Sequence, residues 1–413
     1  MKNLYKKILI LAAAFGPGLF LVGYNIGTGS VTTMASAGAS HGMMLTWAVF
    51  LSCLFTYFLI VVFSRFTLVT GETVLYSFKK HIGKGAAYFV LATLIISEMI
   101  SSIGVMAVLS EVTNEWTKPI TASGAGIGMF PIAIFFAVLL VYFLFTGYYT
   151  KIEVILAVLV GIMGTCFVLT TFMVIPDAGA VIKGLMPNIP DDNNAGLVVA
   201  GMIGTTMGGI LFITRSATIK QKGWTIEDSA AEKKDALLSI SLMFILSISI
   251  MAAAAGTLYP LGIHVENAVD MVKTLEPLAG RFAITIFVTG IIAAGLSSLF
   301  PHYMLVPLLL SDYNQEKLDL NKWRNRGIVL FYAALGMFVP IFGGRPVSIM
   351  IMSQALALIA TPLILIFMQY LLNKKELMGE HKISLATNIG ISLITLFTVY
   401  MAYVGAIGII ETL

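Results

Sequence analysis

Apolar runs of about 20 residues recur along this sequence, and each is long enough to cross a lipid bilayer as an α-helix. Only 11% of the 413 residues are charged, against about 25% in soluble domains. Inside a bilayer the backbone must satisfy its own hydrogen bonds, which an apolar run achieves by forming a helix. The sequence therefore predicts an all-α integral membrane protein. We place eleven transmembrane helices at residues 8–38, 43–69, 85–112, 127–147, 152–175, 196–217, 236–261, 278–310, 327–343, 347–372 and 385–410.

Lysine and arginine residues predict the orientation of these spans, because cytoplasmic loops are enriched in both. With the N-terminus in the cytoplasm, 20 of the 25 lysine and arginine residues fall in cytoplasmic segments and 5 in outer segments. This asymmetry supports an odd number of spans. We therefore expect a multi-pass protein of the cell membrane with a cytoplasmic N-terminus and a C-terminus outside.

Two spans contain residues that interrupt a helix at mid-membrane depth. The first span carries Gly27-Thr28-Gly29-Ser30, and the sixth carries Thr205-Thr206-Met207-Gly208-Gly209. Glycine costs about 1 kcal/mol relative to alanine in a helix interior, and free backbone groups inside a bilayer are tolerated where they line a cavity. We interpret both stretches as breaks that share a substrate site. The alternative is that Gly27 and Gly29 only allow close helix packing.

Breaks in the first and sixth spans, five spans apart, are typical of inverted-repeat transporters with a substrate at the midplane. We expect residues 1–413 to form a single transmembrane transporter domain. Repeat one would cover 8–175, repeat two 196–372, and the appended helix 385–410. A broken helix presents free amides that attract anions and free carbonyls that attract cations, so this geometry alone leaves the substrate open.

Six stretches distributed over most of the chain match known motifs: FGPGLFLVGYNIGTGSVTTMASAGA, SRFTLVTGETV, GYYTKIE, KGWTIEDSAAEKKDALLSISL, AAGLSS and IMSQALALIATPLILIFMQYLLNKKELMGEHK. Together they resemble the NRAMP family of metal-ion transporters, which has a leucine-transporter-like fold. The resemblance implies a 5+5 inverted repeat with one extra helix and with helices 1 and 6 broken. It also implies proton-coupled transport of divalent metals such as manganese and iron.

The site departs from the family pattern at its metal ligands. The family's first-helix motif, DPGN, aligns with residues 27–30, so that its aspartate is absent and its asparagine is replaced by Ser30. The sixth-helix motif, MPH, aligns with residues 207–209 and keeps only Met207. The family's third-helix acidic pair aligns with Glu98 and Ser101, and Gln354 matches a glutamine near the bound ion. The candidate substrate residues are Gly27, Thr28, Gly29, Ser30, Thr206, Met207, Gly208, Gly209 and Gln354.

The candidate metal ligands, Ser30 and Met207, carry no negative charge. A divalent ion loses hydration energy on binding, which carboxylates usually offset. Three substrates remain open: a partly hydrated hard cation such as magnesium, a monovalent ion, or a small organic solute or anion. The third has support of its own, because Gly-Thr-Gly resembles the first-helix break of amino-acid transporters with this fold, where backbone amides hold a carboxylate.

Glu98 is the acidic residue that lies well inside an apolar span, and no lysine or arginine lies at a comparable depth in the sequence. Ionisable residues at this depth are functional by default, so we expect Glu98 to carry the coupling proton. The alternative is a protonated glutamate that only bonds a neighbouring helix.

Three polar residues of the eighth span have two interpretations each. Ser297 and Ser298 form a possible sodium site, since paired hydroxyls on this helix hold sodium elsewhere in the fold, or they are structural hydroxyls. His302 is a second titrating group or a hydrogen-bonded helix residue.

These observations predict a secondary-active transporter of NRAMP type with an altered metal site. The alternative is the same fold repurposed for an amino acid or carboxylate, coupled to protons or sodium. The expected partners are a small ion or solute, the coupling ion and the lipid bilayer, with no cofactor and no nucleic acid. No nucleophile–base pair or nucleotide loop is present in the sequence, so we do not expect an enzyme.

Overall fold

The computed structural model of the chain describes residues 27–147, 149–174, 178–192 and 194–412. Within these ranges the chain forms helices and turns and contains no strand. The helices are α1 (Thr28–His41), α2 (Thr46–Thr70), α3 (Val74–His81), α4 (Lys84–Thr117), α5 (Met129–Thr146), α6 (Tyr149–Val174), α7 (Ala178–Lys183), α8 (Ala195–Met207), α9 (Gly209–Lys222), α10 (Ser229–Thr257), α11 (Glu276–Ala279), α12 (Ala283–Asn314), α13 (Trp323–Leu335), α14 (Phe338–Phe342), α15 (Pro346–Ala357), α16 (Thr361–Asn373), α17 (Lys375–Met378) and α18 (Leu385–Thr412).

Nine segments within the described ranges are long and apolar enough to cross a membrane. They correspond to the second to fourth and the sixth to eleventh predicted spans. The fifth span corresponds to α6, whose apolar part at Val158–Val174 is shorter. Of the first span, residues 8–26 lie outside the described residues, and α1 is its second half. The all-helical membrane architecture is therefore confirmed, whereas the count of eleven spans stays a prediction, as do the boundaries of the two repeats.

The segment formed by α8 and α9 is the most enclosed of the nine, with 94% of its most apolar 18-residue stretch buried. Helix α8 packs against α2, α15 and α18, while α10 packs against α1, α2 and α6. Helix α12 packs against α4 and α6. Helices that surround α8 on several sides leave it no lipid contact, so the polar residues at its end are enclosed by protein.

The break in the sixth span lies at Gly208, between α8 and α9. Gly208 has φ −54° and ψ 133°, an extended conformation that ends the helix. The carbonyl groups released at this end find partners on neighbouring helices. Thr56 Oγ1 donates to the Thr206 carbonyl at 3.2 Å, and Thr361 Oγ1 donates to the Met207 carbonyl at 3.2 Å. The predicted interruption is thus present, and its freed acceptors are satisfied as a bilayer interior requires.

Helix α1 begins at Thr28, next to Gly27 in an extended conformation with φ −97° and ψ −171°. The sequence also predicted a single helix over 347–372, and there the structure differs. Helix α15 ends at Ala357 and α16 begins at Thr361. Pro362 follows Thr361, and a proline can neither donate to the preceding turn nor fit against it. The tenth span is therefore broken as well.

Candidate functional site

A buried cavity of about 30 Å³ lies where the start of α1, the α8–α9 break and α15 meet. Its volume holds one or two water molecules or a small ion. Backbone atoms of glycines form part of its wall, and the polar side chains that line it come from five helices. These side chains are Ser30, Ser101, Thr205, Ser298, His302 and Gln354.

Helical spacing explains why these residues reach one cavity. Residues three or four apart share a helix face, and Ser298 and His302 on α12 are four apart. Met350 and Gln354 on α15 are also four apart, and both line the cavity. Met350 was missed in the sequence, although its spacing from Gln354 was a usable signal.

A hydroxyl pair joins the start of α1 to the end of α8 at the cavity. Ser30 Oγ and Thr205 Oγ1 are 2.8 Å apart, and both residues are about 95% buried, with 5% exposure each. This contact links the start of α1 to the end of α8, 175 residues away in the chain. The predicted meeting of the first and sixth spans is therefore present in the structure.

Two glycines let the helices approach closely at this junction. A Cβ atom on Gly29 would lie 2.8 Å from Gln354 Nε2 and 2.9 Å from Met350 Cε. A Cβ atom on Gly204 would lie 1.9 Å from the backbone carbonyl oxygen of Gln354. Gly29 thus leaves room for flexible side chains, whereas Gly204 lets the backbone of α8 touch that of α15.

Of the predicted substrate residues, five line the cavity: Gly27, Gly29, Ser30, Gly208 and Gln354. The other four, Thr28, Thr206, Met207 and Gly209, are buried outside its lining. Met207 belongs to the hydrophobic core, and the Thr206 hydroxyl donates to the Met202 carbonyl at 3.3 Å. Gly204 and Thr205 of α8, with Gly208 just after its end, line the cavity, so that Thr205 lies at the cavity where Thr206 was expected.

The two serines of the predicted sodium site lie on different parts of the surface of α12. Ser298 is buried and lines the cavity, whereas Ser297 is half-buried and does not. Within the described part of the chain, the Ser298 hydroxyl has no hydrogen-bond partner, and neither does the Thr28 hydroxyl.

Glu98 on α4 contacts His302 on α12, which is a partner that the sequence analysis did not assign to it. Glu98 Oε2 and His302 Nδ1 are 2.5 Å apart, and the two residues are 2% and 4% exposed. His302 Nε2 lies 3.5 Å from Ser101 Oγ. The imidazole therefore stands between the carboxyl group of Glu98 and the cavity wall.

The cavity offers hydroxyl, amide and imidazole groups but no carboxylate among its lining residues. Across the described ranges, no group of three or more histidine, cysteine, aspartate or glutamate residues is arranged to hold a metal ion. The altered metal site expected from the sequence stays a prediction.

A second cavity of about 590 Å³ lies at the far end of α1. His41, Asp192 and His264 line it, with His41 Nδ1 3.5 Å from Asp192 Oδ2 and His264 Nδ1 3.4 Å from Ser40 Oγ. Between the two cavities, Gly201 packs so closely that a Cβ atom there would lie 3.1 Å from Ile351 Cγ2.

Broken helices that enclose a polar cavity within a bundle of membrane-length helices define a transporter of the leucine-transporter-like class. The family profile described as Nramp, natural resistance-associated macrophage protein-like, matches residues 18–407. The chain belongs to this Nramp family.

Relatives and solved structures agree with this assignment. The natural resistance-associated macrophage protein 2 homolog of Dictyostelium discoideum is 25% identical over 405 residues, which cover 94% of this chain and 62% of that protein's length. The divalent metal cation transporter MntH of Pectobacterium carotovorum is 24% identical over 390 residues, covering 90% of this chain and 88% of the relative.

A solved structure of the Eremococcus coleocola manganese transporter, in complex with an aromatic bis-isothiourea substituted compound, superposes with a TM-score of 0.73 at 15% identity, covering 100% of this chain and 87% of the other. Mhp1, a nucleobase-cation-symport-1 family transporter, superposes with a TM-score of 0.57 at 13% identity, covering 96% of this chain and 90% of the other. Both likenesses concern the fold.

Proposed function

We propose that this protein is a secondary-active transporter that moves a small inorganic cation through the central cavity, coupled to protons through the Glu98–His302 pair. The observation that carries the proposal is the hydroxyl contact between Ser30 and Thr205 at 2.8 Å, which joins two helix ends around a buried polar cavity. Relatives named as divalent metal cation transporters support an ion as the substrate.

The donor set favours a cation that keeps part of its hydration shell. Ser30, Thr205 and Gln354 offer oxygen atoms without net charge, so they offset little of the cost of removing water from a divalent ion. Magnesium retains several waters when it binds to proteins. We therefore expect weaker binding of manganese than a site with a carboxylate would give.

The test is uptake of Mn²⁺ and of Mg²⁺ into proteoliposomes that contain the purified protein, with an acidic outside. Uptake of one ion, reduced in Ser30→Ala and in Gln354→Ala, is the expected result. Thr165→Ala is the control, since Thr165 is exposed and its hydroxyl bonds its own helix at Gly161. No uptake and no calorimetric binding heat for either ion would refute the proposal.

One observation favours a second candidate, a small organic solute or anion. The N-termini of α1 and α9 both reach the cavity, and among the described residues neither N-cap, Gly27 or Gly208, provides a side-chain cap. Free amides at helix N-termini attract negative charge, while the carbonyl groups that end α8 already accept hydrogen bonds from Thr56 and Thr361.

A thermal-shift screen of amino acids, small carboxylates and metal ions separates the two candidates, because a ligand that binds the folded state raises the melting temperature. Stabilisation by a carboxylate and not by metals would favour the second candidate. Stabilisation by a divalent metal alone would exclude it.

The coupling ion is tested in the same proteoliposomes. The unpartnered Ser298 hydroxyl at the cavity supports sodium as an alternative to protons. Replacing sodium with choline at constant pH leaves uptake unchanged if protons are the coupling ion, and abolishes it if sodium is.

A further inference from the structure

A third cavity, of about 280 Å³, lies at one end of the helix bundle, away from the central cavity. Helix α2 contributes Arg65 to its wall, α10 contributes Lys233, and α18 contributes Thr387. Ile383, which precedes α18, adds an apolar side. The pocket is thus bounded by three membrane-length helices and combines two cationic side chains with apolar surface.

The two positive charges of this pocket are not neutralised by the protein. Within the described part of the chain, neither Arg65 nor Lys233 forms an ion pair, and no acidic residue lines the pocket. Glu232, beside Lys233 in the sequence, pairs with Arg215 at 3.0 Å. Asp235 also pairs with Arg215, at 2.6 Å. The acidic residues of α10 nearest to Lys233 therefore pair with Arg215.

Ser229 also lines the pocket and is the first residue of α10, which is 29 residues long. The Ser229 backbone N–H donates to the Ile226 carbonyl, and Asp228 and Glu232 place carboxyl groups at this helix end. The Asp228 carboxylate accepts from the Thr225 backbone N–H at 2.9 Å. The positive charge of the pocket therefore comes from Arg65 and Lys233.

The depth of the pocket matches the headgroup region of a bilayer. Arg65 lies five residues before the end of α2 at Thr70, and α10 and α18 begin at this same end of the bundle. Exposed apolar side chains, including Ile389 and Leu393 of α18, continue from this end along the helix. A phosphate at the pocket would thus lie where an attached acyl chain meets apolar protein surface.

We propose that this pocket binds the phosphate headgroup of an anionic phospholipid, held by Arg65 and Lys233. Basic pockets between membrane helices are suited to such headgroups. In the orientation that the lysine and arginine distribution predicts, the lipid belongs to the cytoplasmic leaflet. The bound lipid connects α2, α10 and α18 and stabilises the bundle.

The experiment measures binding of phosphatidylglycerol and phosphatidylcholine to the delipidated protein by native mass spectrometry and thermal shift. The wild type is expected to retain phosphatidylglycerol and to be stabilised by it. A basic residue near the membrane surface contributes about fivefold to the attraction of anionic lipid, so Arg65→Gln with Lys233→Gln is expected to reduce affinity about 30-fold.

The matched control is Lys234→Gln with Lys382→Gln. These two residues are exposed, lie next to pocket residues in the sequence, and do not line the pocket. The control removes the same net charge, so an equal loss in both pairs would mean non-specific surface attraction and would overturn the proposal.

Two further outcomes would also overturn it: equal binding of the two lipids by the wild type, or displacement of the lipid by millimolar inorganic phosphate, which would indicate a site for the free ion. If the double variant fails to fold, Lys233→Gln alone carries the test, because Lys233 is exposed. Its expected loss is about fivefold.

Discussion

The Glu98–His302 contact places two titratable side chains against each other in the interior of the bundle, 204 residues apart in the chain. The sequence analysis assigned the coupling proton to Glu98 because ionisable residues deep in an apolar span are functional by default. The structure adds a contact that the sequence did not reveal, since His302 on another helix lies against the carboxyl group. The role itself stays a prediction.

We expect Glu98→Gln and His302→Gln to abolish the stimulation of uptake by an inward proton gradient. Couplings of about 1–3 kcal/mol correspond to about 5- to 150-fold stimulation, which the variants would lose. The measurement is initial uptake with and without the gradient. Glu115→Gln is the control, because Glu115 lies on the same helix but pairs with Lys118 at its far end. Full gradient dependence in both test variants would remove the pair from the mechanism.

A carboxylate introduced at Gly27 is expected to strengthen metal binding. Gly27 lines the cavity, and its extended backbone is accessible to any residue. The charge of the ligands sets the affinity of such sites, so Gly27→Asp should tighten manganese binding about tenfold or more in calorimetry. Loss of binding in this variant would instead indicate an anionic substrate.

Glu72, in the turn between α2 and α3, is expected to make stability depend on pH. Burial acts to raise the pKa of Glu72, but hydrogen bonds from Lys80, His81 and Ser77 outweigh it and hold the pKa below its usual value. A lowered folded-state pKa stabilises the fold above the unfolded pKa of about 4.3, and this stabilisation is lost as the pH falls through the folded value.

Glu72→Gln should therefore be less stable than the wild type at pH 7 by about 1 kcal/mol or less, and the difference should shrink in acid. Melting temperatures across the pH range provide the measurement. A difference that does not change with pH would contradict the assignment.

At the scale of helices, the close contact of α8 with α15 depends on Gly204, and the space beside α1 depends on Gly29. The break at Gly208 was predictable, because adjacent glycines lie inside an apolar run. The break before Thr361 was missed, because Pro362 is surrounded by apolar residues that suggested one continuous span. The sequence also did not show that Thr205, rather than Thr206, lies at the cavity, since the orientation of a helix face depends on the helices packed around it.

The two glycines should respond differently to alanine. In Gly29→Ala the new Cβ meets the flexible ends of Gln354 and Met350, so we expect a folded protein with weaker substrate binding. In Gly204→Ala it meets a backbone oxygen, so α8 and α15 must separate, at a cost of about 1–3 kcal/mol or more.

Melting temperature and substrate binding of both variants test this difference. Gly161→Ala is the control, since nothing lies within 4 Å of a Cβ atom there. Equal stability of the Gly204→Ala and Gly161→Ala variants would contradict the packing argument.

For the whole molecule, the predicted orientation assigns the two ends of the bundle to opposite sides of the membrane. Ser123, in the turn between α4 and α5, would face outward, and Lys382, before α18, would face the cytoplasm; both are exposed. In a variant without Cys53 and Cys166, a membrane-impermeant thiol reagent applied to whole cells should label Ser123→Cys and not Lys382→Cys. The reverse pattern would invert the topology.

The local chemistry of each segment was sufficient to predict the membrane architecture and one helix break, the one at Gly208. Apolar runs partition into the bilayer, and backbone hydrogen bonds then close within each helix, so each span is decided by its own residues. The altered metal site, inferred from the residues that replace the family's ligands, stays a prediction.

Contacts between distant helices decided the rest. The Glu98–His302 pair, the choice of Thr205 over Thr206, the place of Met350 and the pocket at Arg65 and Lys233 each join residues from separate spans. No single span contains this information, because the rotation of a helix about its axis depends on the side chains packed against it. The spans could be predicted and the site could not for one physical reason: insertion into the membrane depends on each segment alone, whereas the site depends on how the segments pack.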